Sequence, residues 1–227
     1  MKTSYAQGRV VVGASSIIQQ AFGWMFGGLL ATAGTAIFAA SSLPFQEALH
    51  SNPIIFIGLI IAELVLVMVI SAGITRLAPP VAVALYLTYA VLNGLTFSSI
   101  FMVYTGESIG AAFVSASFAF GIMALFGYVT KKDLSSVGSI AFLALIGLII
   151  ASVVNMFLRN DGLSYLLSYG AILIFTALTA YDTQKLKRMG QSMSYGGNLG
   201  IYGALALYLD FVNIFLSLLR IFGGRRS

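Results

Sequence analysis

Seven stretches of this chain are apolar over about the length that crosses a lipid bilayer. They cover residues 21–40, 54–74, 81–101, 111–129, 140–157, 163–181 and 201–219. A helix rising about 1.5 Å per residue needs about 20 residues to traverse ~30 Å of hydrocarbon. Inside lipid no water is present to satisfy the backbone, so each such segment must satisfy its own polar groups, which a helix does. Composition agrees: 59% of the 227 residues are hydrophobic and 8% are charged, too little charge to cover a soluble surface. The expected fold is therefore an all-α integral membrane protein, a seven-transmembrane-helix bundle. Residues 21–227 make one transmembrane domain, preceded by a polar N-terminal segment, 1–20. Loops are short, and neither an internal repeat nor a low-complexity linker interrupts the bundle.

The same composition removes several function classes. There is no cysteine, which excludes disulfides, thiolate catalysis and cysteine-ligated metal or iron–sulfur sites. His50 is the single histidine, so histidine metal clusters are excluded as well. No resident cofactor is expected. The net charge of +5 is not gathered into a solvated basic tract, so nucleic acid is not expected as a partner. The positive charge is better read as topology. Lys2 and Arg9 precede the first run, Arg76 follows the second, Lys131 and Lys132 follow the fourth, and Lys185, Lys187 and Arg188 follow the sixth. The intervening loops carry Arg159 alone. By the positive-inside rule this alternation places the N-terminus in the cytoplasm. Ser15, Ser16, Gln19 and Gln20 interrupt what would be a signal-peptide core, so the first run is expected to be a retained span. Without an organelle signal, the expected location is a bacterial inner membrane.

Arg220, Arg225 and Arg226 break the alternation. Seven full crossings put them outside; a re-entrant seventh segment would keep them inside. Span length favours crossing and charge favours returning. Earlier loops set the orientation before this helix inserts, so crossing is the expectation. Glycines within the runs, Gly27, Gly28, Gly121, Gly147 and Gly203, are read as points of close helix packing.

Only 7 residues are acidic, yet Glu63 lies inside the second run, Asp182 at the end of the sixth and Asp210 inside the seventh. An ionisable group in a span is costly, faces the bundle interior or water, and marks a functional site by default. The bland alternative is an acid that only pins helices together. Asn213 and Ser217 share a helical face with Asp210, so the seventh span carries a polar stripe and should be buried. Thr176, Thr179 and Asp182 form a similar stripe on the sixth span, and Tyr89, Asn93 and Thr96 on the third. Such stripes commonly tie helices together; with acids they can also line an ion pathway. Glu63, Asn93 and Asn213 are the candidates for that pathway.

Asp210 lies nine residues past Ile201, roughly 13 Å along a helix. Antiparallel packing of spans six and seven can therefore bring Asp182 and Asp210 together near the cytoplasmic mouth. Arg76 ends span two on the same side. Two carboxylates in contact cannot easily both ionise in a poorly hydrated site; they hold one proton between them, and the pair senses pH. Doubly ionised, it repels itself and attracts cations. Arg76 is then a candidate latch that pairs with a carboxylate and releases it as the charge changes. Oxygen ligands suit Ca²⁺ or another hard cation, but two aspartates are too few for a tight cage. Weak, transient binding is what a permeant ion requires.

The chain resembles the transmembrane Bax inhibitor motif family, and its bacterial members in particular. The motifs that carry the resemblance are "NGLTFSSIF" (93–101), "TALTAYDTQKLK" (176–187) and "LYLDFVNIFLSLLRIFG" (207–223). The likeness extends over essentially the whole chain. It implies a seven-helix fold with the C-terminal helix central and two layers of three helices around it. It also implies a pH-sensitive calcium leak, gated by two aspartates and an arginine latch. The aspartate of "AYDTQ" falls on Asp182 and that of "YLDF" on Asp210. The latch falls on Arg76 when the count runs back from "NGLT", and the turn "TRLAPP" is less basic than in some relatives. Glu63 resembles an acid in the same span with a role in ion passage.

Three functions compete at this stage. The first is a non-enzymatic, pH-sensitive calcium or cation leak channel. The second is a membrane regulator that binds other membrane proteins, such as a quality-control protease, through residues 1–20. The third, an intramembrane aspartyl hydrolase, lacks the "GxGD" motif and is disfavoured by the resemblance.

Overall fold

The computed structural model describes residues 14–73, 76–191 and 198–224. Among these residues the chain is helical and has no strand. The elements are α1 (Ala14–Ser41), α2 (Leu43–Ser51), α3 (Pro53–Gly73), α4 (Pro79–Phe97), α5 (Ile100–Val103), α6 (Gly106–Val129), α7 (Ser135–Leu158), α8 (Asp161–Gln191) and α9 (Leu199–Phe222). Seven spans are long and apolar enough to cross a membrane, with α4 and α5 joined as Pro79–Val103. Each apolar run read from the sequence falls within one of them, apart from residue 74, which lies outside the described residues. Of the N-terminal segment, residues 1–13 lie outside the described residues and the remainder already belongs to α1.

Helix starts follow local chemistry. All 4 prolines sit in a first turn: Pro44 in α2, Pro53 in α3, Pro79 and Pro80 in α4. There the missing N–H costs nothing and the fixed φ suits the helix. The Thr105 hydroxyl accepts from the Ser108 backbone N–H at 3.3 Å and caps α6. At its far end α7 stops on Arg159, which takes the left-handed conformation, φ 51°.

Burial is very unequal. In the apolar window of α9, 56% is buried, against 6% for α3 and 11% for α7. α9 packs against α1, α8 and α6, and touches α4 and α3. α7 packs on α8, and α3 mainly on α4, leaving Ile54, Leu64, Met68, Leu143 and Phe157 exposed for lipid. Hydrocarbon is as apolar as leucine, so little drives these outer faces inward.

Ties at the two ends fix the course of α9. At its start, the Asn198 side-chain amide donates to the Leu77 carbonyl at 2.6 Å, next to Arg76. Beyond its end, the Gly224 N–H donates to Ser108 Oγ at 2.9 Å, and the Thr105 N–H to the Gly224 carbonyl at 3.2 Å. The seventh helix thus runs uninterrupted from the end that holds Arg76 to the end where α6 begins, with no turn back, and it is long and apolar enough to cross a membrane. The first end also gathers Lys131, Lys132, Lys187 and Arg188. The other holds Glu107, Asp161, Arg159 and Arg220.

The basic end is clasped by α8, which extends past its apolar run to Gln191. Gln184 donates to the Lys132 carbonyl at 2.8 Å and accepts from the Leu134 N–H at 2.9 Å. Lys187 donates to the Tyr128 carbonyl at 2.7 Å. Asp133 accepts from the Ser135 hydroxyl at 2.7 Å, the Ser135 N–H at 2.9 Å and Arg188 at 2.9 Å. These bonds, Ser135 first, hold the Asp133 carboxyl well below the usual aspartate range, at about 2.

Close packing falls on some glycines and not on others. A Cβ on Gly127 would collide with the Ala180 backbone of α8, and one on Gly94 would sit 2.6 Å from the Thr32 carbonyl of α1. Gly28 faces Tyr86 and Gly203 faces Leu186, as expected of packing glycines. Gly27, Gly121 and Gly147 differ from the expectation: a Cβ added to any of them would meet nothing within 4 Å, and Gly121 and Gly147 are exposed.

Two outcomes follow. Gly127→Ala should cost about 1–3 kcal/mol of stability, whereas Gly121→Ala should change it by less than about 0.5 kcal/mol. Thermal unfolding of both variants in one detergent measures this. Carboxyl ¹³C NMR should give Asp133 a midpoint near 2, moving up toward the ordinary range when Ser135 is changed to Ala and Arg188 to Gln. The folded value lies below the unfolded one. The clasp's contribution is therefore complete above the ordinary aspartate range and is lost as pH falls through about 2.

Candidate functional site

α8 and α9 are antiparallel neighbours, and together with α7 and Ser71 of α3 they line an open cavity of about 730 Å³. Asp182 of α8 and Asp210 of α9 both line it, with Ser71, Tyr181, Lys185 and Tyr202. The remaining wall is largely apolar, with Phe142, Leu143, Phe175, Leu178, Leu205 and Leu209. Asp210 is 3% exposed, and its Oδ2 has no hydrogen-bond partner. Leaving a buried carboxylate oxygen unpartnered is expensive, and such a group awaits a proton, a water or a cation. The Thr179 side chain approaches the same carboxylate, and Asp182 lies near it on the wall of the same cavity. The two aspartates singled out in the sequence thus line one cavity.

Arg76 is exposed and, among the described residues, forms no ion pair with either aspartate. It does stand at the same end of the bundle, one residue before the Leu77 carbonyl that holds Asn198. The cation beside Asp182 is instead Lys185, one turn further along α8. Its ammonium donates to the Tyr202 hydroxyl at 3.0 Å. It lies 5.3 Å from the Tyr202 ring centroid and 5.8 Å from that of Tyr181. The signal for Lys185 was available in "AYDTQKLK": a lysine three residues after an acid shares its helical face.

Glu63 belongs to a different cluster. It is half-buried on α3 and accepts a hydrogen bond from the Thr96 hydroxyl of α4. The phenols of Tyr89 and Tyr208 lie nearby. Asn93 is 3% exposed and donates to the Tyr89 carbonyl at 3.4 Å. Tyr208 packs edge-on against Tyr86 and Tyr89, at centroid distances of 6.2 and 5.6 Å. Its hydroxyl is 2.7 Å from Thr32 Oγ1, which also lies 2.9 Å from the carbonyls of Gly28 and Ala90. A threonine hydroxyl has one proton and carbonyls only accept, so Thr32 donates to a carbonyl and Tyr208 donates to Thr32. Thr32, on an outwardly featureless apolar run, gave no sign in the sequence of joining this network.

The rest of the α9 stripe is quieter. Asn213 donates to the Leu209 carbonyl at 2.8 Å, and Ser217 to the Asn213 carbonyl at 2.7 Å, both within α9. Thr176, Thr179 and Thr183 likewise bond back to their own helix. These groups are satisfied locally, as helix-bound hydroxyls and amides commonly are. Among the described residues no group of three or more His, Cys, Asp or Glu side chains is assembled. A cation at the pair would have two carboxylates as its charged ligands, suited to weak binding of a hard ion.

Comparison with known proteins places this architecture. Residues 14–227 match the family model described as "Inhibitor of apoptosis-promoting Bax1". The chain is 49% identical over 219 residues to "Inner membrane protein YbhL" of Escherichia coli K12, covering 94% of each chain. It is 40% identical to an uncharacterized protein of Deinococcus radiodurans, over 92% of this chain and 91% of that one. It is 38% identical to another from Borreliella burgdorferi, over 94% of both. With the seven-span helical fold and matches over nearly its full length, the chain belongs to the Bax inhibitor-1-like family of integral membrane proteins.

Proposed function

We propose that this protein is a pH-sensitive cation leak, non-enzymatic, with Ca²⁺ as the favoured ion, in which Asp182 and Asp210 are both sensor and gate. The observation that carries the reading is the unpartnered Oδ2 of Asp210, buried on α9 and lining a cavity shared with Asp182. A proton on the pair quiets the repulsion between the two carboxylates and lets α8 and α9 stay together. With both ionised, the pair repels itself and draws a cation into the cavity. Two carboxylates release such an ion as readily as they take it. Glu63, with Thr96, Tyr89 and Asn93 around it, offers a second polar station on the way across. Arg76 as a latch would have to swing from its exposed turn to reach the pair. The gathering of lysines and arginines at the end where α9 begins supports a cytoplasmic placement of that end and of the N-terminus. The name of the Escherichia coli relative speaks for an inner membrane.

The test is Ca²⁺ entry into dye-loaded liposomes containing the purified protein. Leak should rise as pH rises through the range in which the pair gives up its proton. Asp210→Asn and Asp182→Asn each remove one negative charge, as a proton does. Each should flatten that pH response and lower the leak about tenfold, the factor given by ~1.4 kcal/mol of lost attraction. A leak no greater than in empty liposomes, or one indifferent to pH and to both substitutions, overturns the proposal.

A further inference from the structure

Lys185 has a place in the cavity that the gating scheme does not use. It is half-buried on α8, lines the same cavity as the two aspartates, and shares a helical face with Asp182. A lysine so placed would be expected to close on the carboxylate. It does not: among the described residues the ion pair found is Arg188–Asp133, while the Lys185 ammonium is held on the Tyr202 hydroxyl at 3.0 Å. Two phenol rings flank it, at 5.3 and 5.8 Å, an arrangement that attracts a cation through the ring faces. The fully buried Asp210, with one oxygen unpartnered, faces the same space.

We propose that Lys185 is a tethered competitor for the cation position at the aspartate pair, and that Tyr202 and Tyr181 form the rest on which it parks when it stands aside. The inference rests on the reading of the pair as a cation site. A lysine stem is long and flexible, and its ammonium is a compact point charge with three donors. Swung toward Asp182, it neutralises the site and supplies donors to the carboxylate. Parked on Tyr202, it leaves the carboxylates open but still repels an arriving cation across the same cavity. Cation occupancy is then set by the balance between the two positions, and each position can be weakened separately.

Two substitutions therefore have opposite effects. Lys185→Gln removes the competitor and should tighten cation binding about tenfold, since a like charge beside the site is lost. Tyr202→Phe removes the hydroxyl that holds the ammonium aside, drives it toward Asp182, and should weaken binding. Lys185→Arg keeps the charge and should stay within about twofold of the unaltered protein. Tb³⁺ is a suitable probe: it takes oxygen ligands as Ca²⁺ does, and tyrosine excitation sensitises its luminescence, with Tyr181 remaining in the cavity of every variant. Titrations are made on the full chain in detergent at one fixed pH, with Ca²⁺ as displacing ion. The opposed signs of Lys185→Gln and Tyr202→Phe are the expected result, and a merely structural lysine would not produce them. If Asp182→Asn and Asp210→Asn abolish the signal while Lys185→Gln leaves affinity within about twofold, the competitor is wrong and the aspartate site stands. If the aspartate variants leave the signal unchanged, the site itself is wrong and the competitor falls with it. Should Lys185→Gln fail to fold, an affinity for Tyr202→Phe equal to or tighter than that of the unaltered protein overturns the proposal on its own.

Discussion

Asp210 can be carried into a bilayer only by a helix that other helices cover. An acid on a lipid-facing surface would have to stay protonated, snorkel to the interface or stay out. α9 meets this demand by being the most enclosed span, packed against α1, α6 and α8 and touched by α3 and α4. Hydrocarbon supplies no hydrophobic drive for that enclosure, so it must come from close contact. The glycines answer the need where they face a neighbour: Gly203 admits Leu186 and Ala21 against α9, and Gly127 brings α6 onto the backbone of α8. The interior that shelters Asp210 is thus built by small residues, on α9 itself and on α6, as much as by the large apolar side chains of α9.

α9 also separates two polar interiors. Tyr208 and Asp210 are two residues apart, and two residues turn a helix by about 200°. Tyr208 therefore faces Thr32, Tyr86 and Tyr89, on the side where Glu63 lies nearby, while Asp210 faces the cavity with Asp182. The helix is rigid along this stretch, since its backbone bonds are intact and Asn213 and Ser217 bond back into it. A rotation of α9 that relieved repulsion at the aspartates would also pull Tyr208 against Thr32. One rod would carry such a rotation from one side to the other, with no chain of contacts needed between them.

How much of this could be seen in the residues alone divides along clear lines. The seven spans were legible because length against bilayer thickness is a property of one segment at a time. The burial of α9 was legible too, because Asp210, Asn213 and Ser217 lie on one face. The crossing of α9 was not, because loop charge and span length point opposite ways. The end-to-end run of α9 is fixed by the contacts of Asn198 with the turn before α4 and of Gly224 with α6. Which glycines pack was equally hidden: Gly121 and Gly127 look alike in sequence, and only rotation about α6 tells that one faces α8 and the other open space. At the site, the meeting of Asp182 and Asp210 could be argued from antiparallel neighbours and a rise per residue. The partner cation could not. Arg76 and Lys185 are both basic residues at the right end, and the choice between them depends on where the chain around Arg76 turns and on the two tyrosines that receive Lys185.

The clasp at the basic end limits how the site can move. Gln184 lies two residues beyond Asp182 and is bonded to both sides of the loop between α6 and α7. Lys187 and Arg188 add ties on the next turn. Fraying of α8 from its end would have to leave the buried Gln184 side chain and the Leu134 N–H without partners, at about 1–3 kcal/mol for each group stranded away from water. Asp182 is therefore on the fixed side of the cavity. The groups left to respond to charge are α9, tied at its start by Asn198 to the Leu77 carbonyl of the turn before α4, and the side chain of Lys185, which a single hydroxyl and two ring faces restrain. Motion of a side chain on a flexible stem costs far less than displacement of a span packed against three others. The lysine should therefore respond to an arriving ion before the helices do.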